Sequence, residues 1–479
     1  MCVRYTITHT FRKRGVLFAR EISMSELEKS GYKGIALRLL QNAGCQIGDI
    51  VCVISNGRTY EGILIPRTER GDTANIVIKM KSGYNVGVTA ISKGEAGEVL
   101  VKKVGTDVKP VFAPSVLPKQ NVKLPHVVIM SMGGTIVSRT DYRTNAGQSA
   151  ISTDDLYSTV PELLEIARVD TETVFNIYSE NLSPKNWTTL ALRVADCIKS
   201  GNVDGIVVMQ GTDTMGYTAA ALSFALQNLP VPIVFVGAQR SSDCPSSDAA
   251  TNLIGAVKVA GEAPFAEVCL AMHETISDTT IAIHRGVKVR KCHTSRRDTF
   301  KSINGSPIAI VSDQRILVQQ NERDYQCRNS SKRLVLKGDF CEKVGLVKFY
   351  PGMDPSVIDF YVNQGFRGIL LEGLGLGHIS TICFEAIKNA IANGVVVALA
   401  SQCIWGRVNM NICDTGKELL SFGVVGLGDM FPETGLVKLM WALGQTSDVE
   451  EVKRLLKTNV AGEFALCSFL QDKVVYGVS

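Results

Sequence analysis

The sequence is poor in the groups that build metal and redox centres. Only 6 histidines occur in 479 residues, none in an HExxH pattern or at a regular ligand spacing, so no metal is expected. The 13 cysteines lie singly between Cys2 and Cys467, with no CxxC pair. An odd, scattered set of this kind reads as reduced and mostly buried thiols rather than a disulfide framework. No apolar run approaches the ~20 residues that span a bilayer. The longest, such as Ile206–Met209 and Val395–Ala400, are strand length. The opening residues Met1-Cys2-Val3-Arg4-Tyr5 lack a basic region followed by an apolar one, so the expectation is a cytoplasmic protein without signal peptide or membrane association. No Walker A motif occurs, which removes ATP chemistry from this chain. Gly373-x-Gly375-x-Gly377-His378 comes near a dinucleotide loop, but histidine stands where the last glycine is required.

What is present suits a large α/β protein. Hydrophobic residues make up 45% and charged residues 20%, enough to bury several cores. At ~150 residues per domain the length suggests about three. The net charge of +5 is uneven: residues 1–125 hold 19 Lys and Arg against 10 Asp and Glu, so the remainder is slightly acidic. A basic N-terminal third is compatible with a polyanion-facing module and equally with an ordinary solvated surface.

Three textures divide the chain. Residues 1–101 carry short β-like runs (Asp49–Ile54, Thr59–Ile65, Asn75–Met80) with turn signals at Asn56-Gly57 and Gly83, after a short helix over Lys33–Asn42. This predicts a small all-β, barrel-like domain. Residues 102–125 contain Pro110, Pro114, Pro118 and Pro125 and read as a linker. From 126 apolar strands alternate with amphipathic helices, the pattern of parallel sheets with right-handed crossovers. Strands are expected at His126–Met130, Asp204–Met209, Pro232–Val236 and Glu267–Ala271, with helices at Thr214–Leu226 and Ala249–Ala260. Polar residues 319–341 interrupt the pattern. A smaller α/β domain over 342–479 then follows, with strands at Val344–Phe349, Gly368–Leu371 and Val395–Ala400 and helices at Pro355–Asn363 and Ser380–Ala392.

Parallel α/β sheets bind ligands at the carboxyl ends of their strands. Two such ends carry hydroxyls here. Ser131-Met132-Gly133-Gly134-Thr135-Ile136 follows the first strand, and Gln210-Gly211-Thr212-Asp213-Thr214 follows the strand ending at Met209, just before a helix N-terminus suited to an anionic group. Taken alone, each is equally readable as a turn or a helix cap.

Together the two segments resemble the T-G-G-T-I and G-T-D-T-M signatures of bacterial-type L-asparaginases, with Met132 in place of the first threonine. The likeness extends to the family of D-type subunits of archaeal glutamyl-tRNA(Gln) amidotransferases through Tyr60–Leu64, Gly83–Gly87, Ser179–Leu182, Leu371–His378 and Ser401–Asn411. It covers essentially the whole chain. A plain asparaginase lacks the N-terminal barrel. The resemblance implies an asparaginase-like two-domain parallel-sheet body, with Thr135 as nucleophile and Thr212, Asp213 and Lys291 as a proton relay. It implies Ser179 and Glu180 as groups holding the substrate's carboxylate and ammonium, and Tyr142 assisting Thr135 from the first loop. It further implies L-glutamine as amide donor, Glu-tRNA(Gln) as acceptor, and a companion E-type subunit carrying ATP and Mg, with no cofactor in this chain. A homodimer through the asparaginase-like domains is expected too. Most of the other basic residues of Arg285–Lys301 are expected at the surface or facing RNA, and His273 and His284 are expected to be structural. The competing readings are a stand-alone L-asparaginase with an extra N-terminal domain and a non-catalytic scaffold on the same fold.

Overall fold

The computed structural model describes residues 25–55, 58–66, 73–80, 85–90, 99–106, 121–133, 139–140, 147–148, 156–157, 160–240, 247–312, 315–319 and 325–465. By contacts the chain forms two units, one built mainly of residues 1–111 and the other mainly of residues 112–479.

The first unit opens with helices α1 (Glu26–Lys29) and α2 (Gly34–Asn42). Strands β1 (Asp49–Ser55), β2 (Arg58–Leu64), β3 (Asn75–Met80), β4 (Asn85–Thr89) and β5 (Leu100–Thr106) follow. They form one sheet in the order β4-β3-β2-β1-β5, every described pairing antiparallel. Alternate residues of β1 point inward, so Val51 and Val53 meet Tyr32, Ala36 and Leu40 in a small core. The Tyr32 hydroxyl ties that core together by donating to Ile65 O at 2.8 Å. Residues 102–106, expected within the linker, instead belong to β5, which runs on to Thr106 paired with β1. Only Val101 of this strand is buried, and Lys102, Lys103 and Val104 are exposed, so its edge position hides the strand from a hydrophobic reading.

The second unit holds two α/β layers. Its larger sheet has eight strands: β6 (His126–Ser131), β7 (Arg168–Thr173), β8 (Gly205–Met209), β9 (Ile233–Val236), β10 (Val268–His273), β11 (Thr280–Arg285), and, beyond the hairpin β12 (Val289–Lys291) and β13 (Phe300–Ser302), β14 (Ala309–Ser312) and β15 (Arg315–Val318). The order is β15-β14-β11-β10-β9-β8-β6-β7. The strands from β10 to β7 are parallel, as expected. The other three join antiparallel: the connections at 274–279 and 313–314 are too short for a crossover, and β14 pairs antiparallel with β11 after the intervening hairpin. Helices α3 (Pro184–Lys199), α4 (Met215–Ala225) and α5 (Ala249–Glu262) cover the sheet. The smaller sheet is parallel, in the order β16 (Val344–Lys348), β17 (Gly368–Gly373), β18 (Val396–Ser401), β19 (Val425–Gly426). It carries α6 (Ser356–Asn363), α7 (Phe384–Ala392), α8 (Asp414–Phe422), α9 (Pro432–Gln445) and α10 (Val449–Lys457).

Helix α4 is apolar on every side because it is covered on every side. Met215, Ala219 and Leu222 pack on the larger sheet, whereas Ala220, Ala221 and Phe224 join a core shared with α9 of the smaller domain. Phe224 stacks on Trp441 with ring centroids 5.8 Å apart. The two α/β domains are thereby locked through one helix pair, and the residues just before α4 sit on a rigid base. Among the described residues no helix is long and apolar enough to cross a membrane.

Candidate active site

Strand register brings the chemistry-bearing loops to one edge. Met209 of β8 lies opposite both Ser131 of β6 and Val236 of β9. The segments that follow, Met132-Gly133, Gln210–Thr214 and Gly237-Ala238, therefore leave the sheet side by side. Met132 N donates to Met209 O at 2.9 Å and Gln210 N to Val236 O at 3.1 Å, which ties the three exits together. Met132, the departure from the asparaginase signature, is fully buried in the apolar cluster beneath. Its side chain is a packing group there.

Two of the glycines are required by close approach. Gly133 has φ +96°, and a Cβ on it would lie 2.7 Å from Ile177 O and 2.8 Å from Ile177 N. The Gly133 backbone thus lies flat against the segment leading to Ser179. At Gly211 a Cβ would meet Ser179 Cβ at 2.9 Å and Oγ at 3.0 Å. Ser179 is buried at the start of a single 3-10 turn, Ser179–Asn181, and its carbonyl accepts the Thr214 hydroxyl at 2.8 Å. Glu180, its neighbour, is exposed.

Lys291 reaches this edge from β12. Its Nζ donates to Thr212 Oγ1 at 2.9 Å and to Asp213 Oδ1 at 2.7 Å. The Lys291 side chain is only 15% exposed, whereas that of Asp213 is 69% exposed. Thr212 is buried. One amine thus bridges a buried hydroxyl and a carboxylate open to solvent, at the mouth of α4. A hydroxyl held this way can pass its proton to the lysine once the amine is free, while the carboxylate stabilises the ammonium that results. Ser179, Thr212, Asp213 and Lys291 are therefore brought together, with Glu180 beside them. Thr135 and Tyr142 lie outside the described residues.

Of the remaining basic residues of the 285–301 segment, Arg296 and Lys301 lie at the surface as expected, whereas Lys288 is buried and Arg285 nearly so, and all six are ion-paired. Arg285 pairs with Glu267 at 2.7 Å, Lys288 with Asp429 at 2.6 Å, Arg290 with Glu433 at 2.9 Å, and Arg296 with Asp298 at 2.8 Å. Arg297 pairs with Asp278, and Lys301 with Asp298 at 3.2 Å. Their partners lie up to 141 residues away, which no local pattern reveals. Around Arg290, burial pushes the Glu433 carboxyl above its ordinary range, with Arg290 opposing. Burial, then the Glu433 charge, push the Tyr217 hydroxyl up to about 12. Both groups stay uncharged more readily than they would in water.

A buried network that the sequence reading misses supports the neighbouring strand end. Asp248 accepts the amides of Gln239 and Arg240 at 3.0–3.1 Å and Asn252 Nδ2 at 3.0 Å. Asn252 also donates to Gly237 O at 3.0 Å, and its Oδ1 meets His273 Nδ1 at 2.6 Å. The only local signal is an Asp before a helical run, the ordinary mark of an N-cap. His273 and His284 are both buried, each bonded to neighbouring side chains, in keeping with structural roles.

This fold and strand-end constellation define an amidohydrolase of the asparaginase class. Residues 126–324 match the family described as "Asparaginase, N-terminal", and residues 343–456 the "Glutaminase/Asparaginase C-terminal domain". The thermostable L-asparaginase from Thermococcus kodakarensis superposes with a TM-score of 0.63 at 31% identity, over 71% of this chain and 99% of that one. L-asparaginase I from Vibrio cholerae gives 0.63 at 28% identity, over 72% and 100%. Residues 45–99, which precede those domains, match the "GatD N-terminal domain". The D-type subunit of the glutamyl-tRNA(Gln) amidotransferase of Thermofilum pendens is 45% identical over 91% of this chain and 96% of its own length, and that of Methanopyrus kandleri is 47% identical over 91% and 95%. The chain belongs to this family, the D-type subunits of glutamyl-tRNA(Gln) amidotransferases.

Proposed function

We propose that this chain hydrolyses L-glutamine and supplies the ammonia with which a companion E-type subunit converts Glu-tRNA(Gln) to Gln-tRNA(Gln). Thr135 attacks the side-chain amide. Thr212, Asp213 and Lys291 relay the protons. Ser179 and Glu180 hold the α-carboxylate and α-ammonium, and Tyr142 assists Thr135. ATP and Mg act at the partner, where the tRNA-bound glutamate is activated. The chain divides into an N-terminal module, a connecting segment and two asparaginase-like domains, through which it pairs with a second copy in the cytoplasm.

The observation that carries the catalytic part is the Lys291 amine bridging Thr212 and Asp213 at a strand end. The amidotransferase part is supported by relatives of that name over 91% of the chain, whereas the solved asparaginases reach 71–72% of it. The test is kcat/KM for glutamine and asparagine, with and without the companion protein. Glutamine preference that rises on assembly is expected. Asparagine preference without dependence on the partner would favour the stand-alone asparaginase instead.

A further inference from the structure

Lys291 stands on a hairpin that pairs with nothing else among the described strands. Strands β12 and β13 are three residues each and form their own two-stranded sheet, apart from the eight-stranded one. A ladder of this length cannot hold its own position. Val289 and Phe300 anchor it in the apolar core of the larger domain, and polar contacts are left to set where the lysine points.

The smaller α/β domain grips this hairpin at its root. Lys288 Nζ donates to Asp429 Oδ2 at 2.6 Å, with the two side chains 7% and 1% exposed. Thr434 Oγ1 donates to Val287 O at 3.0 Å. At the far side, Asn304 Nδ2 donates to Asp429 O at 2.8 Å and to Gly406 O at 2.9 Å. The Asp429 carboxylate also accepts the Ala465 amide at 3.1 and 3.2 Å. One aspartate of the smaller domain thus meets the residue before β12, the turn after β13 and the chain beyond α10.

We infer that the buried Lys288–Asp429 ion pair is the tether by which the smaller domain sets Lys291 against Thr212 and Asp213. Lys288 and Asp429 are positioning residues, and neither touches the reacting atoms. The inference rests on the reading of Lys291 as the relay amine. An apolar pair of equal volume would hold the fold as well as the ions do, because burying two charges offsets most of their attraction. What the ions add is direction, as a short charge-assisted bond tolerates little displacement. Burial pulls the Lys288 ammonium down, and Asp429 opposes that fall.

The test uses the assembled enzyme with Lys288→Met alone and with Lys288→Met/Asp429→Asn together. The single variant leaves the buried Asp429 carboxylate with only the more distant Arg407, 3.9 Å away, as a cation, and loses melting temperature. The double variant removes both charges and regains most of it. The tether predicts that kcat for glutamine nevertheless stays about 10- to 100-fold down in the double variant at unchanged KM. It also predicts faster amide exchange at residues 289–302, with the rest of the chain unaltered. Recovery of melting temperature, kcat and hairpin protection together would overturn the inference and leave a purely stabilising pair. If the wild-type enzyme releases no ammonia from glutamine, the functional reading fails, and hairpin exchange still decides the tether. Should the double variant not fold, Asp429→Glu keeps the charge but shifts it by one methylene. A lowered kcat at unchanged KM then supports the tether, and wild-type kcat overturns it.

Discussion

Replacing Lys291 by methionine separates catalysis from stability. Methionine nearly matches the length of the lysine stem and removes only the amine. Two bonds are lost, at 2.9 Å to Thr212 and 2.7 Å to Asp213. Asp213 is 69% exposed, so water replaces the amine, and the ion pair contributes no more than about 1 kcal/mol. Thr212 is buried and loses one donor, which costs about 1 kcal/mol. Melting should therefore fall by no more than a few degrees. The relay loses its proton acceptor, and removal of a positioned acid–base group lowers kcat by about 100- to 10,000-fold, or about 3–5 kcal/mol of barrier. Ammonia release from glutamine, measured beside a thermal melt on the same preparation, reads both quantities. A folded Lys291→Met enzyme within threefold of wild-type kcat would refute the relay.

Other changes test the supports of the site. Gly133→Ala puts a Cβ 2.7 Å from Ile177 O in a left-handed backbone, so about 2–5 kcal/mol of stability should go, read by urea unfolding, along with most activity. Lys438→Met leaves the fully buried Glu463 carboxylate without its cation and should cost about 3–5 kcal/mol, largely recovered when Glu463→Gln is added. Burial, and secondarily the Lys301 charge, push His284 down to about 3. The unfolded imidazole titrates near ~6.5, so between these values the unfolded chain binds the extra proton. Stability is then full above about pH 6.5 and falls as the pH drops, by up to about 1.4 kcal/mol per unit. His284→Gln should flatten that part of the pH–stability curve, and an unchanged slope would contradict the assignment.

The buried parallel strands are legible because burial on both faces makes them continuous apolar runs. Asp204–Met209 is expected and Gly205–Met209 is found, all five residues buried. Two of the edge strands are not. Arg168–Thr173 reads as Arg-Val-Asp-Thr-Glu-Thr, and only Val169 is buried. Leu100–Thr106 likewise buries one residue, and its lysines make it look like linker. Helix α3 carries local signals that the apolar pattern passes over, with Ser183, Pro184 and Asn186 forming a capping box and a proline first turn. Within the site, the strand-end hydroxyls follow from pattern, but Lys291 follows only from resemblance. Nothing local distinguishes it from Lys288, three residues earlier. One meets Thr212 and Asp213, the other Asp429, and that difference is tertiary.

The central claim, that this chain makes ammonia for a transamidation performed elsewhere, is tested by giving the assembled enzyme Glu-tRNA(Gln), ATP and Mg with either glutamine or ammonium chloride as nitrogen source. The wild-type complex should form Gln-tRNA(Gln) from both. With Thr212→Ala, formation from ammonium chloride should persist and formation from glutamine should stop. Undiminished use of glutamine by Thr212→Ala, or no use of glutamine by the wild type, would contradict the account.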